Sequence, residues 1–371
     1  MTATKGLEGI VAAASSISSI VDGVLTYRGY NIDDLAVNAS FEEVAYLLWF
    51  GKLPNEAELQ QLQKDLSNEA KIPDQVIEQM KLYPKDTNTM AALRSAVSAL
   101  ALYDAEADDM SREANERKAV RLQAKLPTVI AALARIRDCK EPVAPQAGLS
   151  IAENFLYMLR GEKPEEVSVK ALDQALVLHA DHELNASTFA ARVTVATLSD
   201  IYSGVTSAIG ALKGPLHGGA NEAVMKMLNE IKTMENVEPY IQQKLDNRDK
   251  IMGFGHRVYK NGDPRAKHLQ KMSRELGEMK GDTTLYEMSV KIDELVTSQK
   301  GLRPNVDFYS ASVYTQLGFN QELFTPIFAI SRVSGWTAHI LEQYENNRII
   351  RPRAEYVGLT DQNYVPVEQR S

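Results

Sequence analysis

A single cysteine, Cys139, among 371 residues leaves no partner for an intrachain disulfide and excludes a cysteine-built zinc site. One thiol suits a reducing compartment. No apolar run approaches the roughly 18–20 residues that a membrane helix requires. Lys5 is followed by Glu8, and Ser15–Ser19 is not an apolar core, so no signal peptide is expected and the cytoplasm is the default. Basic residues are the minority, 41 against 49 acids, and the formal net charge of −8 argues against nonspecific binding to nucleic acid. Small anions are not excluded, because a few arginines can gather inside an acidic protein.

What the chain does have is an ordinary globular mix, 44% hydrophobic and 24% charged, at a length that suits two or three domains. Helix punctuation dominates. Ser40 with Glu43, and Asn55 with Glu58, read as capping boxes. Apolar spacing of 3 or 4 marks further helices at Met90–Leu102, Glu113–Arg137, Ile151–Leu159, Lys170–Ala180, Ala190–Ala211, Ala220–Ile231, Pro264–Leu276, Leu285–Ser298, Val306–Leu317 and Thr325–Tyr344. Pro127 is expected to kink or divide its segment. The only plausible hairpin is Ile20–Tyr27 around Asp22-Gly23. Strands do not alternate with helices, so the expected fold is all-α with a small β ornament. No fixed repeat favours a solenoid, and the tail from Arg351 reads as polar and extended.

Only six histidines are present, so each can be weighed. His179 continues an apolar stripe and reads as core; His268 and His339 ask for no special role. His182, His217 and His256 lie at helix ends or in glycine- and asparagine-rich turns, where function concentrates. His217 sits in Gly214-Pro215-Leu216-His217-Gly218-Gly219, just ahead of a helix whose N-terminal dipole disfavours imidazolium. A neutral ring there suits donation to an enol or enolate oxygen. His256 lies in Gly253-Phe254-Gly255-His256, which is not a dinucleotide fingerprint because the third glycine is missing. Downstream, Asp263-Pro264-Arg265 reads as N-cap, N1 and N2, and an arginine in a first turn makes sense beside an anion. Arg332 has Phe328 and Trp336 at helical spacing, so it either stacks on Trp336 or meets a carboxylate. Arg351 and Arg353 flank Pro352 and are either solvated or clamping. Asp307 stands in a first turn, one position off the stripe Val306, Tyr309, Val313 and Leu317, free to act as a base.

Taken together, five ordered blocks resemble citrate synthases of the short bacterial, dimeric type. They are His179-Ala180-Asp181-His182-Glu183-Leu184-Asn185-Ala186-Ser187, Pro215-Leu216-His217-Gly218-Gly219-Ala220-Asn221, Gly253-Phe254-Gly255-His256 with Asp263-Pro264-Arg265, Asn305-Val306-Asp307, and Ser331-Arg332 with Arg351-Pro352. The resemblance implies a large helical domain, residues 1–218 with 325–371, a small inserted helical domain, residues 219–324, and a homodimer with the active site in the cleft. It further implies that Asp307 takes a proton from acetyl-CoA, that His217 donates to the thioester oxygen, and that His256 protonates the ketone oxygen of oxaloacetate. His182, Arg265, Arg332 and the second subunit's Arg351 would hold oxaloacetate, and Gly253, Phe254, Gly255 and Lys260 would belong to the CoA site. No cofactor or metal is implied. Asn88-Thr89 before Met90 departs from the family's usual His-Pro, while Arg94 is retained. No extra N-terminal domain linked to NADH sensitivity is expected. Two other readings remain: a 2-methylcitrate synthase using propionyl-CoA, which one methylene separates by only about 1–3 kcal/mol, and a metal-dependent hydrolase built on His179, Asp181, His182 and Glu183.

Overall fold

The computed structural model describes residues 5–7, 9–256, 258–259 and 262–370. Near the N-terminus, β1 (Ser18–Val21) and β2 (Val24–Tyr27) pair antiparallel with Ser18 opposite Tyr27. Asp22 and Gly23 turn between them at φ 51° and 80°, the left-handed pair of a type I′ turn. A two-residue β3 (Tyr30–Asn31) extends the expected hairpin to three strands. Leu25 and Tyr27 are fully buried, so the sheet lays one face on the helical core.

Sixteen α-helices follow among the described residues. After α1 (Ile32–Asn38), reciprocal capping boxes open α2 (Phe41–Phe50) at Ser40/Glu43 and α3 (Glu56–Glu69) at Asn55/Glu58, as their sequences require. Next come α4 (Asp74–Lys81), α5 (Thr89–Leu100), N-capped by Asn88, and α6 (Arg112–Arg137). Of the two outcomes expected at Pro127, division is corrected, since α6 is a single helix of 26 residues with Pro127 buried inside it. Proline costs a helix interior about 3 kcal/mol. Burial of Leu126, Val129, Ile130 and Leu133 in α6 offsets that at about 1.5–3 kcal/mol per side chain.

Beyond α7 (Ile151–Arg160) and α8 (Glu166–His179), the stretch read as one helix at 190–211 is two, α9 (Ala186–Val195) and α10 (Ile201–Leu212). Leu198 turns the chain at φ 64° and Asp200 caps the second helix. Then α11 (Ala220–Ile231), α12 (Met234–Asp246), α13 (Ala266–Lys280), α14 (Thr284–Lys300) and α15 (Val306–Gln316) pack largely on one another. The start of α13 is also corrected: Ala266 is its first helical residue and Arg265 its N-cap. Several contacts tie this group and its ends to the rest of the chain. Lys267 and His268 of α13 both donate to Asp33 of α1 at 2.6 Å. Thr325 donates to Gly218 O at 3.1 Å, while Glu322 meets Arg137 of α6 at 2.6 Å.

The last helix, α16 (Phe324–Glu345), is buried on every side from Phe324 to Ile340 and touches α2, α5, α6, α8, α9 and α10. Such a helix is ordinarily apolar all round, yet this one carries Ser331, Arg332, Ser334, Thr337 and His339. Apart from the end of the Arg332 guanidinium, their polar atoms are bonded internally. Trp49 Nε1 donates to Thr337 Oγ1 at 2.8 Å, and Ser331 donates to Leu176 O. Arg192 donates to His339 Nδ1 at 3.1 Å, so His339 Nε2 carries the ring proton and donates to Asp181 at 3.2 Å. The tail after α16 is extended, as expected, but not uniformly polar, because Tyr356, Val357, Leu359 and Tyr364 lie exposed along it.

Close approach of α16 to the end of α8 depends on Gly335. A Cβ there would overlap Ala180 O and Asp181 Oδ1. Gly335→Ala is expected to cost about 1–3 kcal/mol by overpacking, read from the urea midpoint. A change below about 0.5 kcal/mol, the range of an innocuous surface substitution, would mean that the two segments are free to separate.

Candidate active site

Two short segments are zipped together to begin the site. Gly255 N donates to Arg303 O and Asn305 N to Gly253 O, both at 2.9 Å, and Asn305 Nδ2 reaches Gly255 O at 3.0 Å. Only glycine suits position 253. Its φ is 81°, and a Cβ would stand 2.8 Å from Phe308 Cβ. The Asn305 side chain also caps α15 by accepting from Asp307 N. One asparagine therefore sets both the loop before His256 and the turn that carries Asp307.

His256 has a defined tautomer. Its Nδ1 accepts from the backbone N–H groups of Val258 and Tyr259 at 3.0 and 3.3 Å, which leaves Nε2 to carry the proton and donate. Burial, with Arg265 nearby, pushes this imidazole down to about 4. Asp307 is half-buried, and no side-chain donor reaches its carboxylate among the described residues. Burial lifts it to about 6 against the pull of Arg265 and Arg332. It is an unengaged carboxylate of raised basicity.

His217 hangs in the turn between α10 and α11, held by its N–H to Gly214 O at 2.9 Å. Its Nε2 lies 2.8 Å from Ser187 Oγ. That hydroxyl accepts the indole N–H of Trp336 at 3.0 Å and donates to Asn185 Oδ1 at 2.7 Å. When the hydroxyl turns its proton to His217 Nε2 instead of Asn185, His217 Nδ1 carries the ring proton and is free to donate. Burial first, then Arg332, pushes His217 down to about 4, which keeps the ring neutral as expected.

His182 follows α8, with Nε2 3.0 Å from the Tyr259 hydroxyl. Burial, then Arg265 and Arg332, holds it well below its ordinary value. Both arginines are only 2% exposed. Arg265 makes a two-point pair with Asp263, Nε at 2.9 Å and Nη2 at 2.7 Å, while its Nη1 is buried with no hydrogen-bond partner among the described residues. Burial opposes its charge, but Asp263 more than compensates and raises it. Arg332 donates Nε to His179 O at 2.6 Å and lies over the Phe328 ring at 4.5 Å. Stacking on Trp336 is thus corrected; that indole is bonded to Ser187. No carboxylate pairs with Arg332 among the described residues, and burial pulls it down to about 10. Buried cationic donors without partners cost several kcal/mol unless an anion meets them.

The structure therefore brings His182, His217, His256, Asp307, Arg265 and Arg332 into one electrostatically coupled cluster beside Gly253, Phe254 and Gly255. Arg351 stays on the exposed tail of its own chain. Lys260 lies outside the described residues. The metal-site reading fails on geometry. His179 Nδ1 donates to Ala175 O at 2.6 Å between the rings of Phe328 and Tyr314, Asp181 is taken by Ser18 and His339, and Glu183 accepts from Ile20 N at 2.7 Å. Asp263, Ser187, Trp336 and Tyr259 were missed as partners of the cluster. Asp263 and Ser187 fall within the sequence blocks, but their patterns announce helix caps, not pairing with a catalytic ring or guanidinium. An unpaired base, neutral N–H donors and anion-seeking guanidiniums suit proton abstraction beside a carbonyl, with a small acid held close by.

Comparisons with known proteins agree with this chemistry. Residues 6–353 match the family described as "Citrate synthase, C-terminal domain". The chain is 63% identical over 372 residues to Citrate synthase 2 of Bacillus subtilis, covering 100% of both chains. It is 44% identical over 358 residues to the Citrate/2-methylcitrate synthase of the same organism, covering 96% of each. Among solved structures, citrate synthase of Thermoplasma acidophilum in ternary complex with carboxymethyl coenzyme A and oxaloacetate superposes with a TM-score of 0.94 at 37% identity, covering 100% of both chains.

Burial of Asp307 has a cost that can be measured. Its folded-state value, about 6, lies above the ordinary 3.8, so folding favours the protonated form and stability declines as pH rises from about 4 to about 6. That gap is worth at most about 3 kcal/mol above pH 6. Asp307→Asn is expected to raise the free energy of unfolding by about 1–3 kcal/mol at pH 7.5 and by much less at pH 4.5, read by urea titration. An equal effect at both pH values would contradict the assignment.

Proposed function

Because the chain belongs to the citrate synthase family, we propose that this cluster joins the methyl carbon of acetyl-CoA to the ketone carbon of oxaloacetate and then hydrolyses the thioester, releasing citrate and CoA. The observation that carries the assignment of roles is the unengaged, raised carboxylate of Asp307 among neutral imidazoles.

In this reading Asp307 removes a methyl proton while His217 donates to the thioester oxygen. A carboxylate is a weak base for a carbon acid, so the enol oxygen must be stabilised as the proton leaves. His256, whose Nε2 carries its proton, donates to the ketone oxygen and protonates it as the carbon–carbon bond forms. Arg332 and the unpartnered Nη1 of Arg265 take the carboxylates of oxaloacetate with His182, which places one face of the ketone toward the enol. The Gly253–Gly255 backbone, with Lys260, belongs to the CoA site. No step needs a cofactor; acetyl-CoA is consumed as a substrate.

The same proposal includes a small domain, residues 219–324, that closes on the rest and excludes water until the bond exists. Support comes from the contacts of Thr325 with Gly218 and of Glu322 with Arg137, which brace the two ends of that segment. It also includes a homodimer in which Arg351 of each chain completes the other's oxaloacetate site, a use for an exposed tail rich in Tyr356, Val357 and Leu359. A cytoplasmic location completes the reading, and the free, exposed Cys139 is compatible with it.

A thiol-release assay with oxaloacetate and acetyl-CoA tests the core of the proposal. Wild-type protein should release thiol, with kcat/KM falling as pH drops through about 6, where Asp307 takes up its proton. Asp307→Asn should lose about 10²–10⁴-fold at pH 7.5, a gap that narrows as pH drops below about 6. Absence of thiol release, or an undiminished rate in the variant, rejects it. Propionyl-CoA run in parallel sets the acyl preference by the ratio of specificity constants. Arg351→Ala should raise the oxaloacetate KM about tenfold or more, since a charge-assisted pair is worth about 1.5–3 kcal/mol. An unchanged KM in an intact dimer would remove Arg351 from the site.

A further inference from the structure

Tyr259 has no part in the roles above, yet it touches two of the three imidazoles. It is 4% exposed. Its hydroxyl lies 3.0 Å from His182 Nε2, its ring centroid 4.6 Å from that of His256, and its backbone N–H is one of the two that fix the His256 tautomer. The rings of His182 and His256 are themselves only 5.2 Å apart, nearly edge to face. Among the described residues the hydroxyl has no other hydrogen-bond partner.

We propose that Tyr259 is a positioning residue for the oxaloacetate site, its hydroxyl aiming His182 and its ring face holding His256. This inference rests on the citrate synthase reading. A neutral imidazole has one donor and one acceptor, and a donor turned away from its target forfeits the bond. His182 stands beside two guanidiniums that disfavour its charged form, so its contribution to holding a dicarboxylate depends on where its single N–H points. A phenol that donates to Nε2 leaves Nδ1 with the ring proton, so this one contact sets both the orientation of the ring and the direction of its single N–H. Phenylalanine would keep the ring against His256 and leave His182 Nε2 without a partner. The hydroxyl and the ring therefore govern different steps: the first sets affinity for oxaloacetate, the second the rate of bond formation.

The test separates them. In Tyr259→Phe the oxaloacetate KM and the Kd from calorimetry should rise about tenfold, with kcat and the acetyl-CoA KM within about twofold of wild type. In Tyr259→Leu, where the ring is also gone, kcat should fall as well, by about tenfold or more. A Phe variant that binds oxaloacetate within about twofold of wild type, or that loses acetyl-CoA equally, overturns the inference. Should the Phe variant fail to fold, a crystal structure of the wild-type protein with oxaloacetate decides. A Tyr259 hydroxyl within hydrogen-bond reach of His182 or the substrate supports it, and one swung away overturns it. Wild-type protein without thiol release condemns the citrate synthase reading itself. An active wild type with a silent Phe variant condemns only the role of Tyr259.

Discussion

Two guanidiniums buried beside one another set the terms for the rest of the cleft. Arg265 and Arg332 each contribute to keeping His182 uncharged; Arg332 does so for His217, and Arg265 for His256. The same charges restrain Asp307, whose burial would otherwise lift it further. Burial is the larger cause for each ring, and the guanidiniums reinforce it. With them, the rings remain neutral donors and the carboxylate remains free. Asp263 neutralises one guanidinium, and Arg332 is left without a carboxylate. An unmatched buried charge of that kind is unfavourable by itself.

The scaffold tolerates the imbalance because α16 is surrounded on all sides. Arg332 is held by a backbone carbonyl, an aromatic face and the continuous packing of its helix, not by a counter-ion. The neighbouring polar groups of α16 are each given an internal partner, so the helix spends its tolerance for unmatched charge at one position. Asn305 plays a comparable part across the cleft. It joins the glycine loop to α15, and His256 and Asp307 are thereby positioned from one side chain.

Much of this was legible in the amino-acid order. Capping boxes at Ser40 and Asn55, the Asp22-Gly23 turn and the long apolar stripes follow local rules, and the structure obeys them. The three turn histidines and Asp307 stood out because their positions made poor sense as packing. What stayed hidden depends on contacts distant in sequence. Pro127 reads as a breaker until the burial around it is known, and the break after Val195 is obscured by an alanine- and valine-rich run. Ser187 reads as a residue of a helix start, although its hydroxyl serves a ring thirty positions away. Arg332 had two aromatic neighbours at helical spacing, and only the packing of α16 decides that Phe328 is the one beneath it.

The bridge from Asp33 to Lys267 and His268 has a consequence for how the cleft responds to its surroundings. Those two residues lie in the first turn of α13, close after Arg265, while Asp33 belongs to the N-terminal helix. Lys267 is largely exposed and Asp33 partly so, so mobile ions weaken the Lys267–Asp33 attraction over a Debye length of about 8 Å at physiological ionic strength. Ionic strength therefore acts on a strap that joins the far end of the chain to the first turn after Arg265.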